Sequence, residues 1–506
     1  MIGMKEIKFL ENELWWGCAA QYGRKMPCNA STELEVDLAP NVTNNQTNPV
    51  LISSKGRYLW CEEGFNAIIK DGVIKIDEKG ELIYGETGGT LKEAFKEVKT
   101  RFFPDDNLFP DTDLIIHPQY NTWIELMYDQ CQEKILAYVD NLVANDMPKG
   151  VIMIDDTWQE NYGVWNFNPV RFADPKGMMD KIHALGYKIM LWICPFVSAD
   201  SAVYRELTKK GLFVKNPDGT DAIRHWWNGY SAVLDLTNPA AQKWFKDQLD
   251  RLQNEYGVDG FKFDAGDAQF YRDTDKTYAP TTANGQCELY AKIGLDYELN
   301  EYRACWKLAG QPLVQRLADK RHSWNQDGME CLIPNSLTQA VMGYRFICPD
   351  MIGGGEFQSF LDGAEIDEEL FVRYAQASAL MPMMQFSADP FRVLSKENAK
   401  LCRDMALLHE NMGKEILGFV KAAIENVDPV IAPICYYYPG EGEDEKMTFM
   451  FTENFLVAPV VEKGCFESEI YLPTGEWVGF DGNTYVGGKK VKVATPINVL
   501  PYFRKK

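Results

Sequence analysis

Three acids, Asp259, Asp264 and Asp267, stand among glycines and aromatics in "YGVDGFKFDAGDAQFY", residues 256–271. A carboxylate closing an apolar run such as "GFKF" is either a cap for the next element or a group held in place for chemistry. If 258–264 is a strand, side chains alternate. Phe261 and Phe263 then face one side, and Gly260, Lys262 and Asp264 the other. Asp264 falls at the strand's C-terminal end and Asp259 at its start, where a cap or turn residue belongs. Asp267 lies in the following loop, as a cap or a subsite residue. Other apolar runs also end in acids: Asp155 and Asp156 in "MIDDTW", Asp350 in "CPDMIGGG", and Asp235 in "VLDLTNP". Asp235 is best read as a cap, because a helix begins at Asn238. The rest accompany Trp158, Trp192, Trp226, Trp227 and Trp324. Paired carboxylates accept sugar hydroxyls and indole faces stack on pyranose C–H faces, so this combination suits a carbohydrate site. Glycoside cleavage needs a second carboxyl group to protonate the leaving oxygen. Asp327, in the aperiodic "RHSWNQDGMECL", is the candidate, although spacing alone favours an Asp-Gly turn.

Such acids work only if strands hold them at one face. The composition falls into three regimes. Residues 1–115 carry short strand-like runs such as "LISSKGRYLW" and lead into a helix at "LKEAFKEVKTRFF", which reads as a β-domain. Residues 116–415 alternate strands ("GVIMIDDTW", "YKIMLWICPF", "VDGFKFDAGD", "GYRFICPDMIGGG") with helices. In one helix Ala241, Phe245, Leu249, Leu252 and Tyr256 share a face, with Asn238 as its cap, Pro239 in the first turn and Gly257 at its end. Strand–helix alternation over this length predicts an α/β fold, a (β/α)₈ TIM barrel, with active groups at the C-terminal ends of the strands. An open doubly wound sheet is the competitor, but no G-x-G-x-x-G or Walker sequence accompanies it. Residues 416–506 return to alternating runs and read as a small C-terminal β-domain.

The net charge of -21 on 506 residues argues against nucleic acid or an anionic membrane as partner. Glu6, Glu11 and Glu13 interrupt any signal-peptide core, and no apolar run is long enough to cross a membrane. The twelve cysteines form no C-x-x-C pair and the five histidines no metal-binding spacing. Reduced cysteines, a cytoplasmic location and no metal are therefore expected. The sequons at Asn29, Asn41 and Asn45 then carry no glycan.

"DGFKFDAGD", "WNQDG", "GYRFICPDMIGGG" and "MPMMQFS", in this order, resemble glycoside hydrolase family 31. The likeness is nearest to the branch containing the myogenesis-regulating glycosidase, through "IDDTW", "LWICPFV", "RHWWNG" and "NPVLISSKGRYLW", and runs from about residue 48 to 395. The resemblance implies an N-terminal β-sandwich, a catalytic barrel, a C-terminal β-domain and a retaining α-glycosidase without a cofactor. It makes Asp264 the nucleophile and Asp327 the general acid/base. It places Asp155 with Asp156, Trp226, Arg316 and Asp350 around the sugar, where the indole reading adds Trp192 and Trp324 and Lys262 holds the nucleophile's charge. In a retaining pair the carboxyl groups stand about 5–5.5 Å apart. Where α-glucosidases of the family carry Arg-x-His, this chain reads Met384-Gln385-Phe386-Ser387, so Gln385 takes the histidine's place. That departure, with the branch's association with α-galactosides, makes α-galactosidase the first choice. α-Glucosidase and transglycosylase are the alternatives on the same site. A non-catalytic sugar-binding protein would lack one carboxylate, and both are present. The C-terminal part is shorter than in many members, which leaves the cleft more open or invites oligomerisation.

Overall fold

The computed structural model describes residues 5–361 and 363–506. Eight short parallel strands form its centre: β1 (Gln119–Asn121), β2 (Val151–Ile154), β3 (Lys188–Ile193), β4 (Gly260–Phe263), β5 (Leu299–Tyr302), β6 (Val314–Arg316), β7 (Phe346–Cys348) and β8 (Gln385–Phe386). Each pairs with the next from β1 to β7, and β8 pairs back onto β1. Between β7 and β8 the Ile352 amide donates to the Gln385 carbonyl at 2.9 Å, so the ring is nearly closed. This is the expected TIM barrel. Registry sets the height of each inward side chain: Trp192 pairs with Lys262, and Lys262 with Glu301.

Helices cover the outside in βα succession. Asn238 accepts from the Ala240 amide, Pro239 opens the helix Pro239–Tyr256, and Gly257 closes it in the left-handed conformation at φ 79°. Ala241, Phe245, Leu249 and Leu252 are its buried face, as the spacing predicts. β5 departs from the pattern, passing to β6 through the short strand Cys305–Trp306. That strand joins the N-terminal sheet beside Gln46–Thr47. Two N-terminal sheets, a five-stranded one and a four-stranded one, thus abut the barrel and share its hydrophobic core. The 30-residue helix Lys396–Glu425 runs through the position where the composition changes, and the strands from Phe449 to Lys505 follow it. All twelve cysteines are free.

Candidate functional site

Strand parity puts Asp264 just beyond β4. Phe263 stacks on Tyr302 at 4.7 Å between ring centroids, outside the barrel wall, while Lys262 reaches inward to Asp155 at 2.6 Å. After Asp264 the backbone turns sharply, with Ala265 at φ 55° and Gly266 at φ 72°. A Cβ at Gly266 would come within 2.4 Å of the Tyr290 ring, so only glycine lets the chain turn there. Asp259, at the other end of the strand, accepts from the Ile189 amide at 2.7 Å and contacts His183 at 2.8 Å. It is a structural residue.

One Asp264 oxygen accepts from Arg303 Nε at 2.9 Å and from the Ala265 amide, and the other accepts from Trp192 Nε1 at 3.0 Å. Burial by itself would raise its pKa. The charges of Arg303 and Lys262, with the hydrogen bonds from Trp192 and Ala265, overcome this and hold it below the ordinary carboxylate range. Arg303 is fixed in turn by a bidentate pair with Asp267, both contacts at 2.8 Å, and by the Asn44 carbonyl at 2.7 Å. Asp267 is therefore the residue that orients Arg303. Sequence reading missed Arg303 because it follows β5, whose polar Asn300 and inward Glu301 disguise the strand. The only signal was an arginine in "NEYRACW".

Asp264 looks into a cleft of about 470 Å³, where Asp155, Asp156, Trp192, Lys262, Asp267, Arg303, Arg316 and Trp227 contribute lining. Asp156 accepts from the Thr157 amide, Gln159, Tyr162 and Asn228. Burial, joined by the charge of Asp155, pushes its carboxyl up to about 7 against the hydrogen bonds of Gln159, Tyr162 and the Thr157 amide. Arg316 spans three carboxylates: Glu301 at 3.1 Å, Asp319 at 2.9 Å and Asp350 at 2.9 Å.

Several expected sugar contacts sit elsewhere. Asp350 is fully buried and does not line the cleft; it ties Arg316 to the amides of Lys320, Met351 and Gly355. Burial, with the charge of Asp319, pushes its pKa up to about 6. Gln385 is enclosed in the barrel interior, where its amide donates to Glu301 at 2.6 Å and Gln119 at 2.8 Å. Its register with Gln119 and thus with the first residue of β2 sets it low in the barrel, so it holds Glu301 in place of a sugar. Trp226 is buried behind the cleft, bonded to Ser231, and its neighbour Trp227 takes the lining position. Trp324 donates to Asp367 at 2.9 Å and also lies outside the lining. Asp235 does not cap a helix. It accepts from Thr237, Tyr278 and Gln286 after a hairpin strand, because Asn238 already fills the cap position.

Asp327 lies in the loop after β6, in a turn closed by Arg321 N–H on its carbonyl at 2.8 Å. It is exposed, and among the described residues its carboxyl oxygens take no protein hydrogen bond. It lines a second cleft of about 460 Å³. Asn44, Asp319 and Glu356 line both clefts, so the two spaces adjoin.

Comparison with known proteins bears on this arrangement. The pattern described as "Glycosyl hydrolases family 31 TIM-barrel domain" matches residues 119–397, and that described as "Glycosyl hydrolase family 31 C-terminal domain" matches residues 427–506. The myogenesis-regulating glycosidase of Mus musculus is 30% identical over 408 residues, 79% of this chain and 57% of that protein. The alpha-xylosidase XylQ of Lactiplantibacillus pentosus is 26% identical, covering 86% of this chain and 59% of its own. The chain thus spans little more than half of either relative. Among solved structures, the Flavobacterium johnsoniae dextranase superposes with a TM-score of 0.85 at 19% identity, over 99% of this chain and 66% of that one. The E. rectale sulfoquinovosidase, complexed with an aza-sugar inhibitor, does so with 0.84 at 20% identity, over 99% and 82%.

Proposed function

The chain belongs to glycosyl hydrolase family 31, and from that premise we propose that it is a retaining, exo-acting α-glycosidase whose sugar is α-galactose. The observation that carries the mechanism is Asp264, held as a carboxylate by Arg303 and Lys262 at the wall of a polar cleft. In the first step Asp264 attacks the anomeric carbon as Asp327 gives its proton to the leaving oxygen. In the second, Asp327 takes a proton from water, which displaces the sugar from Asp264. Trp192 orients the second Asp264 oxygen, which carries one hydrogen bond where the other carries two. Asp155, Asp156, Lys262 and Arg316 supply polar contacts to the ring hydroxyls, and Trp227 an apolar face. The exposed, unbonded carboxyl of Asp327 suits a group that must turn toward two partners in succession.

The choice of galactose rests on the branch resemblance and on the missing Arg-x-His. Relatives named as an alpha-xylosidase and a neutral alpha-glucosidase make those sugars the competing substrates. 4-Nitrophenyl α-galactoside, α-glucoside, α-xyloside and α-N-acetylgalactosaminide decide between them: α-galactoside is expected to give the highest kcat/KM, and a preference for another sugar replaces it. Asp264→Ala is expected to lose at least about 10³-fold in kcat while still binding substrate. Near wild-type turnover in that variant would remove Asp264 from the mechanism.

A further inference from the structure

The second cleft lies on Asp327's side of the site, so the group that receives the Asp327 proton must rest there. That placement depends on the glycosidase reading above. Its walls are unusual for so acidic a chain. Arg24, Lys25, Lys320 and Arg321 all line it. Arg24 is occupied, by Glu330 at 3.0 Å and Gln326 at 2.7 Å. The other three have no carboxylate within ion-pair distance among the described residues. Lys320 is the telling one. It keeps only 6% exposure, and among the described residues its ammonium donates to a single acceptor, the Ala318 carbonyl at 2.7 Å. A buried ammonium has three protons to place and costs free energy unless they are taken up.

The acids in the same walls do not serve it. Asp319 Oδ1 accepts from Arg316, and the Glu356 carboxylate accepts from the Gln358 amide and the Ser359 hydroxyl. Asp327 is neutral when it acts as the acid. With a glycoside bound and ready for cleavage, the cleft therefore offers Lys25, Lys320 and Arg321 with no carboxylate of the described residues paired to them.

We propose that this cleft recognises an aglycone bearing an oxyanion, a carboxylate or a phosphate-type group, with Lys320 as the buried anchor and Lys25 and Arg321 at the rim. Its natural substrates are then glycosides of acidic compounds.

The test uses three α-galactosides, those of 4-hydroxyphenylacetate, its amide and 4-hydroxybenzylphosphonate. A methylene insulates the ring from the charge, so the three phenols leave with similar ease. The wild-type enzyme is expected to favour an anionic aglycone over the amide by about tenfold or more in kcat/KM, the scale of a partly desolvated ion pair. The better of the two acids identifies the anion. The preference should shrink toward unity in Lys320→Met and in the Lys25→Gln/Arg321→Gln double variant, whose changes are on the surface and do not threaten folding. It should also weaken with added salt. Asp264-dependent turnover of all three with equal kcat/KM would overturn the acidic-aglycone site while leaving the glycosidase standing. So would a preference that survives the double variant and Lys320→Met together. No Asp264-dependent turnover of any α-glycoside would remove both.

Discussion

At the scale of single residues, the nucleophile is defined by what surrounds it. Asp264 has Arg303 on one oxygen, Trp192 on the other and Lys262 below, and Asp267 exists to aim Arg303. Removing the guanidinium should therefore act on protonation as well as on rate. In Arg303→Met, Asp264 keeps its burial but loses the nearest charge, so its pKa must rise. The acid limb of the kcat/KM–pH profile is expected to move to higher pH; an unmoved limb would mean that Arg303 does not set the ionisation. Asp267→Asn leaves that charge in place but loosens its aim, and should cost about 10- to 100-fold in kcat with a smaller shift of the limb. Asp156 makes a separate prediction. Its folded pKa, about 7, lies above the ordinary aspartate value of 3.8. The stability it contributes is thus complete below about pH 4 and is lost as pH rises toward 7. The Tm of Asp156→Asn should gain on the wild type across that window and hold level above it, as thermal melts at stepped pH will record. Strand parity was enough to single out Asp264 and to demote Asp259. It could not find Arg303 or assign Asp267, because their importance is a contact between two loops.

At the scale of elements, the sequence revealed the strands whose runs are apolar, β2, β3, β4 and β7. It hid β1, β5, β6 and β8. Those four are two to four residues long and point Gln119, Asn121, Glu301, Arg316 and Gln385 into a polar, hydrogen-bonded interior. A barrel built for ionic chemistry breaks the hydrophobic signature that betrays a strand. The N-terminal segment 41–48 was likewise invisible as part of the site. Asn45 receives the Ala318 amide at 2.8 Å, and Asn41 and Asn45 are both buried, which leaves no room for a glycan at either. Gln46 is fully buried, and its amide donates at 2.6 Å to the carbonyls of both Arg303 and Arg316, while Gln339 donates to its oxygen. One side chain from the N-terminal sheet thus fixes the backbone of two site arginines. Gln46→Met keeps the length and removes the donors. Two carbonyls left dry cost about 1–3 kcal/mol each. The expected outcome is a lower Tm together with a fall in kcat of about tenfold or more and an acid limb displaced as in Arg303→Met. A loss of Tm with an unchanged pH profile would make Gln46 structural only.

At the scale of the whole molecule, the three compositional regimes foretold the order of β-domain, barrel and β-domain, yet gave no sign of how tightly they are sewn together. The seams are made of buried polar contacts, which have no periodicity to read. Cys305–Trp306 lends a barrel connection to the N-terminal sheet. Arg373, on the helix Glu368–Ala379, serves the C-terminal side: fully buried, it donates to the carbonyls of Thr495 at 2.6 Å, Cys465 at 3.1 Å, and Pro496 and Val499 at 3.3 Å. Gln376, one turn on, reaches the Ile497 carbonyl at 2.6 Å. Burial lowers the pKa of Arg373, since acceptors are carbonyl dipoles instead of a carboxylate. These contacts lie away from both clefts, so they should govern stability and not chemistry. Arg373→Met strands several carbonyls at once, a loss of about 3–5 kcal/mol. The melting temperature should fall by several degrees, while kcat/KM of the protein still folded at 25 °C stays within about twofold of wild type. Should the rate fall with the melting temperature unmoved, the C-terminal strands would have to be counted as part of the catalytic apparatus, with Arg373 as the link through which they act.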